Sequence, residues 1–215
     1  MTDAQSQSPT GAHSLSREYP ARTGNGIAML CLGLLLIVGG AALIIPEPDT
    51  AWNLGGGLLM AVIGLLALCG LYSLQPNEAM AILLFGDYRG TDRKTGLRWV
   101  LPWYSRKKIS LRVRNLTSDK LKVNDKRGNP IEIACNVVWR VADTAQASFD
   151  VDDYKEFVNI QIEAGLRTVG SRHPYDDFEN EEVTLRGSAD VINRELLEEL
   201  NDRLRVAGIV VDEAG

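Results

Sequence analysis

Residues 26–45, GIAMLCLGLLLIVGGAALII, and residues 51–74, AWNLGGGLLMAVIGLLALCGLYSL, decide how this chain is built. Neither run contains a charged side chain, and only Pro46-Glu47-Pro48-Asp49-Thr50 stands between them. At about 1.5 Å of rise per residue, some twenty apolar residues in a helix cross roughly 30 Å of hydrocarbon. In lipid the backbone must satisfy its own hydrogen bonds, so each run is expected to be a helix and not a strand. The two prolines stop the first helix, and Thr50 offers a side-chain cap to the second. The expected unit is a transmembrane helical hairpin over residues 26–74. A secretory signal is disfavoured, because the first run exceeds an h-region and another span follows at once.

Flanking charge sets the orientation. The short loop carries Glu47 and Asp49 and no base, whereas Arg17 and Arg22 precede the first run and Arg89, Arg93, Lys94 and Arg98 follow the second. Basic flanks stay in the cytoplasm, so both termini are expected there and the protein in the plasma membrane. Trp52 and Tyr72 lie near the two ends of the second run, where interfacial aromatics belong. Gly26, Gly33 and Gly40 recur every seven residues, as do Gly57 and Gly64. Seven residues are close to two turns, so each set lines one face along which two helix backbones can approach. The plainer alternative is that glycine is simply common in membrane helices.

The 215 residues hold the hairpin and one further domain of ordinary size. The net charge of −5 hides an asymmetry. Residues 85–115 carry nine bases against two acids, and residues 143–215 carry eighteen acids against seven bases. The basic part adjoins the expected membrane, where each Lys or Arg gains on the order of 1 kcal/mol against anionic lipid. Arg106, Lys107 and Lys108 are candidates for headgroup contact, the alternative being a solvated face of mixed ion pairs. The acidic balance and the lack of a binding motif argue against nucleic acid as a partner. Cys31 and Cys69 fall inside the spans and Cys135 in an expected strand, which offers neither a disulfide framework nor a thiolate metal site. His13 and His173 are the only histidines, and no ligand set for a metal or other cofactor assembles around them.

Residues 1–25, polar and without apolar period, are expected to be a disordered cytoplasmic tail. Beyond the hairpin, residues 78–85 suit a strand, and Gly86, Gly90 and Gly96 punctuate a turn-rich stretch in which Asp92-Arg93-Lys94 looks exposed. Trp99, Trp103 and Tyr104 cluster just past the spans, a position that favours the membrane interface or the core over ligand binding. Ile109, Leu111 and Val113 alternate with Ser110, Arg112 and Arg114, and Leu121 and Val123 continue the pattern. Residues 124–130, Asn-Asp-Lys-Arg-Gly-Asn-Pro, have turn chemistry, and Ile131 to Val141 alternate again, which gives an antiparallel hairpin. Tyr154, Val158, Ile162, Leu166 and Val169 then form a helical stripe begun by Asp152 and Asp153 and ended by Gly170 and His173-Pro174. Residues 176–184 read as an acidic loop. Ile192, Leu196, Leu200 and Leu204 mark a second helix, with Ser188 as its cap and Gly208 past its end, and residues 209–211 a last strand. The class is α+β: a helical hairpin, then antiparallel strands, then amphipathic helices.

Pro76-Asn77-Glu78-Ala79, the turn Phe85-Gly86-Asp87-Tyr88-Arg89-Gly90-Thr91, Gly96-Leu97-Arg98-Trp99-Val100-Leu101-Pro102 and residues 110–141 together resemble the SPFH (Band 7) domain of stomatins, prohibitins and flotillins. The resemblance covers roughly residues 73–211, the domain itself being expected over 75–215, and is greatest to a bacterial branch with an N-terminal two-span hairpin. It implies an α+β domain that assembles side by side into membrane-bound homo-oligomeric rings or clusters. Such assemblies organise lipid microdomains and regulate membrane proteases or transporters, with no cofactor and no chemistry of their own. Similar proteins run on into a long helical segment. Leu196, Leu200 and Leu204 span too few heptads to supply it here. Two other functions compete: an accessory subunit of a membrane protease, and a membrane-anchored hydrolase. The latter lacks G-x-S-x-G, H-E-x-x-H and a phosphate-binding glycine loop, and its best improvisation is His173 with Asp176 or Asp177 and Ser171.

Overall fold

The computed structural model describes residues 16–45, 51–176 and 183–215; the expected turn at 46–50, His13 and Asp177 lie outside them. Residues 16–23 run as an extended strap into a short strand β1 (Gly24–Asn25). Helices α1 (Gly26–Ile44) and α2 (Ala51–Cys69) follow. Strands β2 (Leu71–Leu74), β3 (Glu78–Leu84), β4 (Asp87–Asp92), β5 (Gly96–Trp99) and β6 (Ser105–Ser110) come next. They lead to β7 (Arg114–Thr117), β8 (Leu121–Asn124), β9 (Pro130–Ile133) and β10 (Asn136–Val141). Three helices, α3 (Thr144–Phe149), α4 (Tyr154–Arg172) and α5 (Ala189–Leu204), and a final strand β11 (Ile209–Ala214) complete the fold.

Both α1 and α2 are 19 residues long, enough to cross a membrane, and turn most of their leucines outward while Gly33 and Gly40 of α1 are buried against Gly64 and Gly57 of α2. Only 11% and 17% of their apolar windows are buried, which separates them from the core helices of a water-soluble domain. Asn25 caps α1, its side chain accepting from the Ile27 amide at 3.0 Å. The second apolar run departs from expectation. It is helical only to Cys69, and after Gly70 it becomes β2, whose partner is β5. A side chain at Gly70 would collide with the Val100 carbonyl and the Trp99 indole, so only glycine permits this tight exit from the helix.

The strands form antiparallel sheets in the orders β1-β5-β2, β4-β3-β6, β11-β10-β7 and the two-stranded β8-β9. The expected hairpin about residues 124–130 is β8-β9, with Val123 opposite Ile131. Two expected strands divide. The alternation from Ile109 crosses from β6, paired with β3, to β7, paired with β10. The alternation from Ile131 breaks at Ala134-Cys135, and β10 then pairs with both β7 and β11. Helix α3 has no apolar period for the sequence to show; Asp143 caps it, accepting from Ala145 at 2.8 Å and Gln146 at 3.1 Å.

The main core lies where α4 and α5 cover the β11-β10-β7 sheet. Val158, Ile162 and Val169 of α4 meet Leu196, Leu200 and Leu204 of α5 over Val137, Trp139, Val141 and Val211. Asp153 starts α4 by accepting from Lys155 at 2.8 Å, whereas Ser188, expected to cap α5, stands at the N-cap position without a side-chain bond. A smaller core of Tyr72, Leu74, Met80, Ile82 and Val100 sits beneath the helical hairpin.

Candidate functional site

The two stems of the helical hairpin meet on one strand. In β5, Trp99 pairs with Gly24 on one side and Leu71 on the other, and Arg98 pairs with Asn25 and Tyr72. The chain entering α1 and the chain leaving α2 are thus paired with the same two residues, Arg98 and Trp99, of one strand of the domain. Close contacts reinforce the join. A Cβ on Gly26 would lie 2.5 Å from the Leu97 carbonyl carbon, the Trp99 indole N–H donates to the Ala67 carbonyl at 2.7 Å, and the Val100 amide donates to the Gly70 carbonyl at 3.0 Å. Arg106 donates to the carbonyls of Leu71 at 3.1 Å and Cys69 at 3.2 Å. At Cys69 it joins the Trp99 indole in satisfying the free carbonyls at the end of α2, and places a cation at the negative end of the helix dipole.

Beneath this sheet a buried polar cluster ties the same stems together. Asp92 accepts from the Tyr72 hydroxyl at 2.7 Å, the Lys94 amide at 3.0 Å and Arg98 Nε at 3.2 Å. Arg98 also reaches the side chain and carbonyl of Thr23. Burial pushes the Asp92 carboxyl up, but the donors from Tyr72, Lys94, Thr23 and Arg98 outweigh it and hold it below the ordinary range. Burial and the neighbouring carboxylate both push the Tyr72 hydroxyl up, so it stays a proton donor. The strap is fastened further along. Glu18 accepts from Arg93 and from both the amide and hydroxyl of Thr144 at 2.8 Å, and the Ser16 hydroxyl donates to Asp150 at 2.7 Å. The Glu18 carboxyl, which burial would raise, is held low by Arg93 and Thr144.

A sheet-and-helix domain with this element order, joined to two N-terminal apolar helices, matches the model of the SPFH domain / Band 7 family over residues 72–215. The chain belongs to the SPFH family. The matched region begins within β2, one residue into the strand that carries the second stem onto β5. SPFH proteins are typically membrane scaffold proteins and are generally non-catalytic. No curated protein matches the chain.

Several residues of the SPFH domain and its hairpin sit otherwise than their sequence positions suggest. Residues 16–25 are not a free tail: their side chains hold the domain at Asp150, Arg93, Thr144 and Arg98. Tyr72, expected at the membrane surface, is buried over Asp92, and Asp92, expected in an exposed turn, is 3% exposed. Trp99 is half-buried in the junction, whereas Trp52 and Trp103 are exposed, at opposite ends of the region. Of the basic candidates, Arg106 is committed to the carbonyls at the end of α2, Lys107 lies 3.4 Å from the Ser148 carbonyl, and Lys108 pairs with Glu78 at 2.9 Å. Along the hairpin, Cβ atoms on Gly40 and Gly57 would lie 2.5 and 2.6 Å from each other's carbonyl oxygens, and Gly64 faces the Gly33 carbonyl at 2.7 Å. Gly26 faces β5 instead of α2.

Among the described residues the improvised catalytic group does not come together. His173 Nε2 bonds Glu195 at 2.6 Å across α4 and α5, the Ser171 hydroxyl donates to the Thr168 carbonyl at 2.9 Å, and Asp176 pairs with Arg186 at 3.0 Å. Among the described residues no three metal-ligating side chains gather. The feature that sequence reasoning missed is Phe85. It stands at the tip of the β3-β4 hairpin with φ +51° and is 88% exposed; a large aromatic beside Gly86 in a turn was the sign that the sequence offered.

Proposed function

We propose that this SPFH chain is a non-catalytic scaffold at the cytoplasmic face of a bacterial plasma membrane. In this reading α1 and α2 span the bilayer, both stems emerge in the cytoplasm, and the domain rests on the leaflet and self-associates side by side. The clusters so formed organise lipid microdomains and control neighbouring membrane proteins. The observation that carries the proposal is the shared strand β5, which bonds to both stems and so removes the free linker between anchor and domain.

Register supports a seated domain. Along β3 the partners in β6 run from Glu78 opposite Ser110 to Leu83 opposite Ser105, toward Arg106 and the end of α2. Just beyond that end of the sheet, Phe85 at the tip of the β3-β4 hairpin and Trp103 before β6 are both exposed. Aromatics at headgroup level favour that placement. Confinement to a plane raises effective concentration, so weak lateral contacts between basic and acidic surfaces suffice for clustering. Sizing the full chain in lipid nanodiscs loaded with several copies, or in mild detergent, at about 50 and 500 mM salt tests this. Clusters that shrink at high salt support the proposal; a monomer under both conditions overturns it.

A further inference from the structure

Between the strap and the domain lies an open cleft of about 430 Å³. Its floor is apolar, from Ile82, Val100, Leu101 and Tyr104, and its charged walls are Arg22 from the strap and Arg89 from β4. No carboxylate lines it; Asp87, which is not among its lining residues, pairs with Arg89 at 3.1 Å. Arg22 is exposed and takes no hydrogen bond or ion pair among the described residues. The cleft is also placed at a particular height. Gly24, two residues before α1, and Trp99, whose indole bonds the last turn of α2 at Ala67, both line it.

We infer that this cleft holds one anionic phospholipid of the surrounding leaflet, its phosphate between Arg22 and Arg89 and its glycerol and upper acyl carbons on the apolar floor. The inference rests on the membrane-seated reading above, because it is the bilayer that brings a lipid to this opening. Guanidinium groups pair with phosphate oxygens in planar, bidentate fashion. The unpaired Arg22 keeps its full donor set for that purpose, whereas Arg93, Arg98 and Arg106 have theirs committed within the domain.

The test is native mass spectrometry of the full chain in detergent with dioleoyl phosphatidylglycerol or dioleoyl phosphatidylcholine, with glycerol 3-phosphate as a third probe. Expected is one retained phosphatidylglycerol per chain and a preference over phosphatidylcholine of roughly 10- to 30-fold, the effect of two arginines near an anionic group. The double variant Arg22→Gln, Arg89→Gln, which removes two exposed side chains, should lower that preference to near one with an unchanged melting temperature. Equal retention of the two lipids, an unaltered preference in the double variant, or displacement by millimolar glycerol 3-phosphate would each overturn the inference, the last by making it a site for free phosphate esters. Alkaline carbonate extraction separates the two levels of failure. A chain that stays in vesicles but shows no lipid preference sinks the cleft alone; a chain released from them sinks the membrane reading and the cleft with it.

Discussion

Replacing Asp92 by alanine attacks the junction at its most connected point. The change leaves the Tyr72 hydroxyl buried without an acceptor and Arg98 without its counter-charge. An unsatisfied buried hydroxyl costs about 1–3 kcal/mol, and breaking a buried ion pair by removing one partner about 3–5 kcal/mol. The Arg98 side chain is still 18% exposed, so water recovers part of the loss and about 3 kcal/mol is expected in all. For a chain of this size that lowers the melting temperature by roughly 6–12 °C, read from tryptophan fluorescence of the detergent-solubilised protein. The effect has a pH signature. Asp92 is held below its ordinary value, so its stabilisation is complete above about pH 4 to 5 and is lost as pH falls through the lowered value. Parent and variant should therefore converge in strong acid. Asp92→Asn, which keeps an oxygen for Tyr72 but not the charge, should fall between them. A shift under about 2 °C at pH 7, or a gap that stays constant down to pH 3, would refute the reasoning.

Other outcomes follow from the packing. Gly40→Val would drive a branched side chain into the Gly57 carbonyl, 2.5 Å from its Cβ, and should lower hairpin stability by about 1–3 kcal/mol, measured as a lower melting temperature; Gly55→Ala, which has nothing within 4 Å, should leave it unchanged. Leu200→Ala in the fully buried core should cost about 3 kcal/mol by thermal melting while leaving the chain in carbonate-washed membranes. Glu18→Gln should release the strap, exposing the bond after Arg17 or Arg22 to trypsin while melting changes by less than in Asp92→Ala.

The parts of this protein that are written in local pattern were legible in its sequence, and those made by distant partners were not. Two charge-free runs announce α1 and α2, and the stripes through Val158 and Leu200 announce α4 and α5, because in each case the pattern is a property of one segment. The break at Ala134-Cys135 leaves the alternation in step, so nothing local records that β9 and β10 belong to different sheets. The strap is polar and aperiodic; its order comes from Glu18, Thr23 and Ser16 finding partners 75 to 134 residues away. Tyr72 follows an apolar run and so looks interfacial, and only the acid twenty residues on explains its burial. A carboxylate amid so many bases was the available sign that Asp92 is a partner and not a turn residue.

The seating of the domain on the bilayer is tested most directly by depth at Phe85. A nitroxide on Phe85→Cys, in a chain whose Cys31, Cys69 and Cys135 are replaced by alanine or serine, is placed in vesicles and relaxed by oxygen or by a water-soluble nickel chelate. The nitroxide should collide more with oxygen than with nickel, while one on the exposed Lys122 of the β8-β9 hairpin shows the reverse. Nickel dominating at both positions would contradict the account, since the tip of β3 would then stand in water.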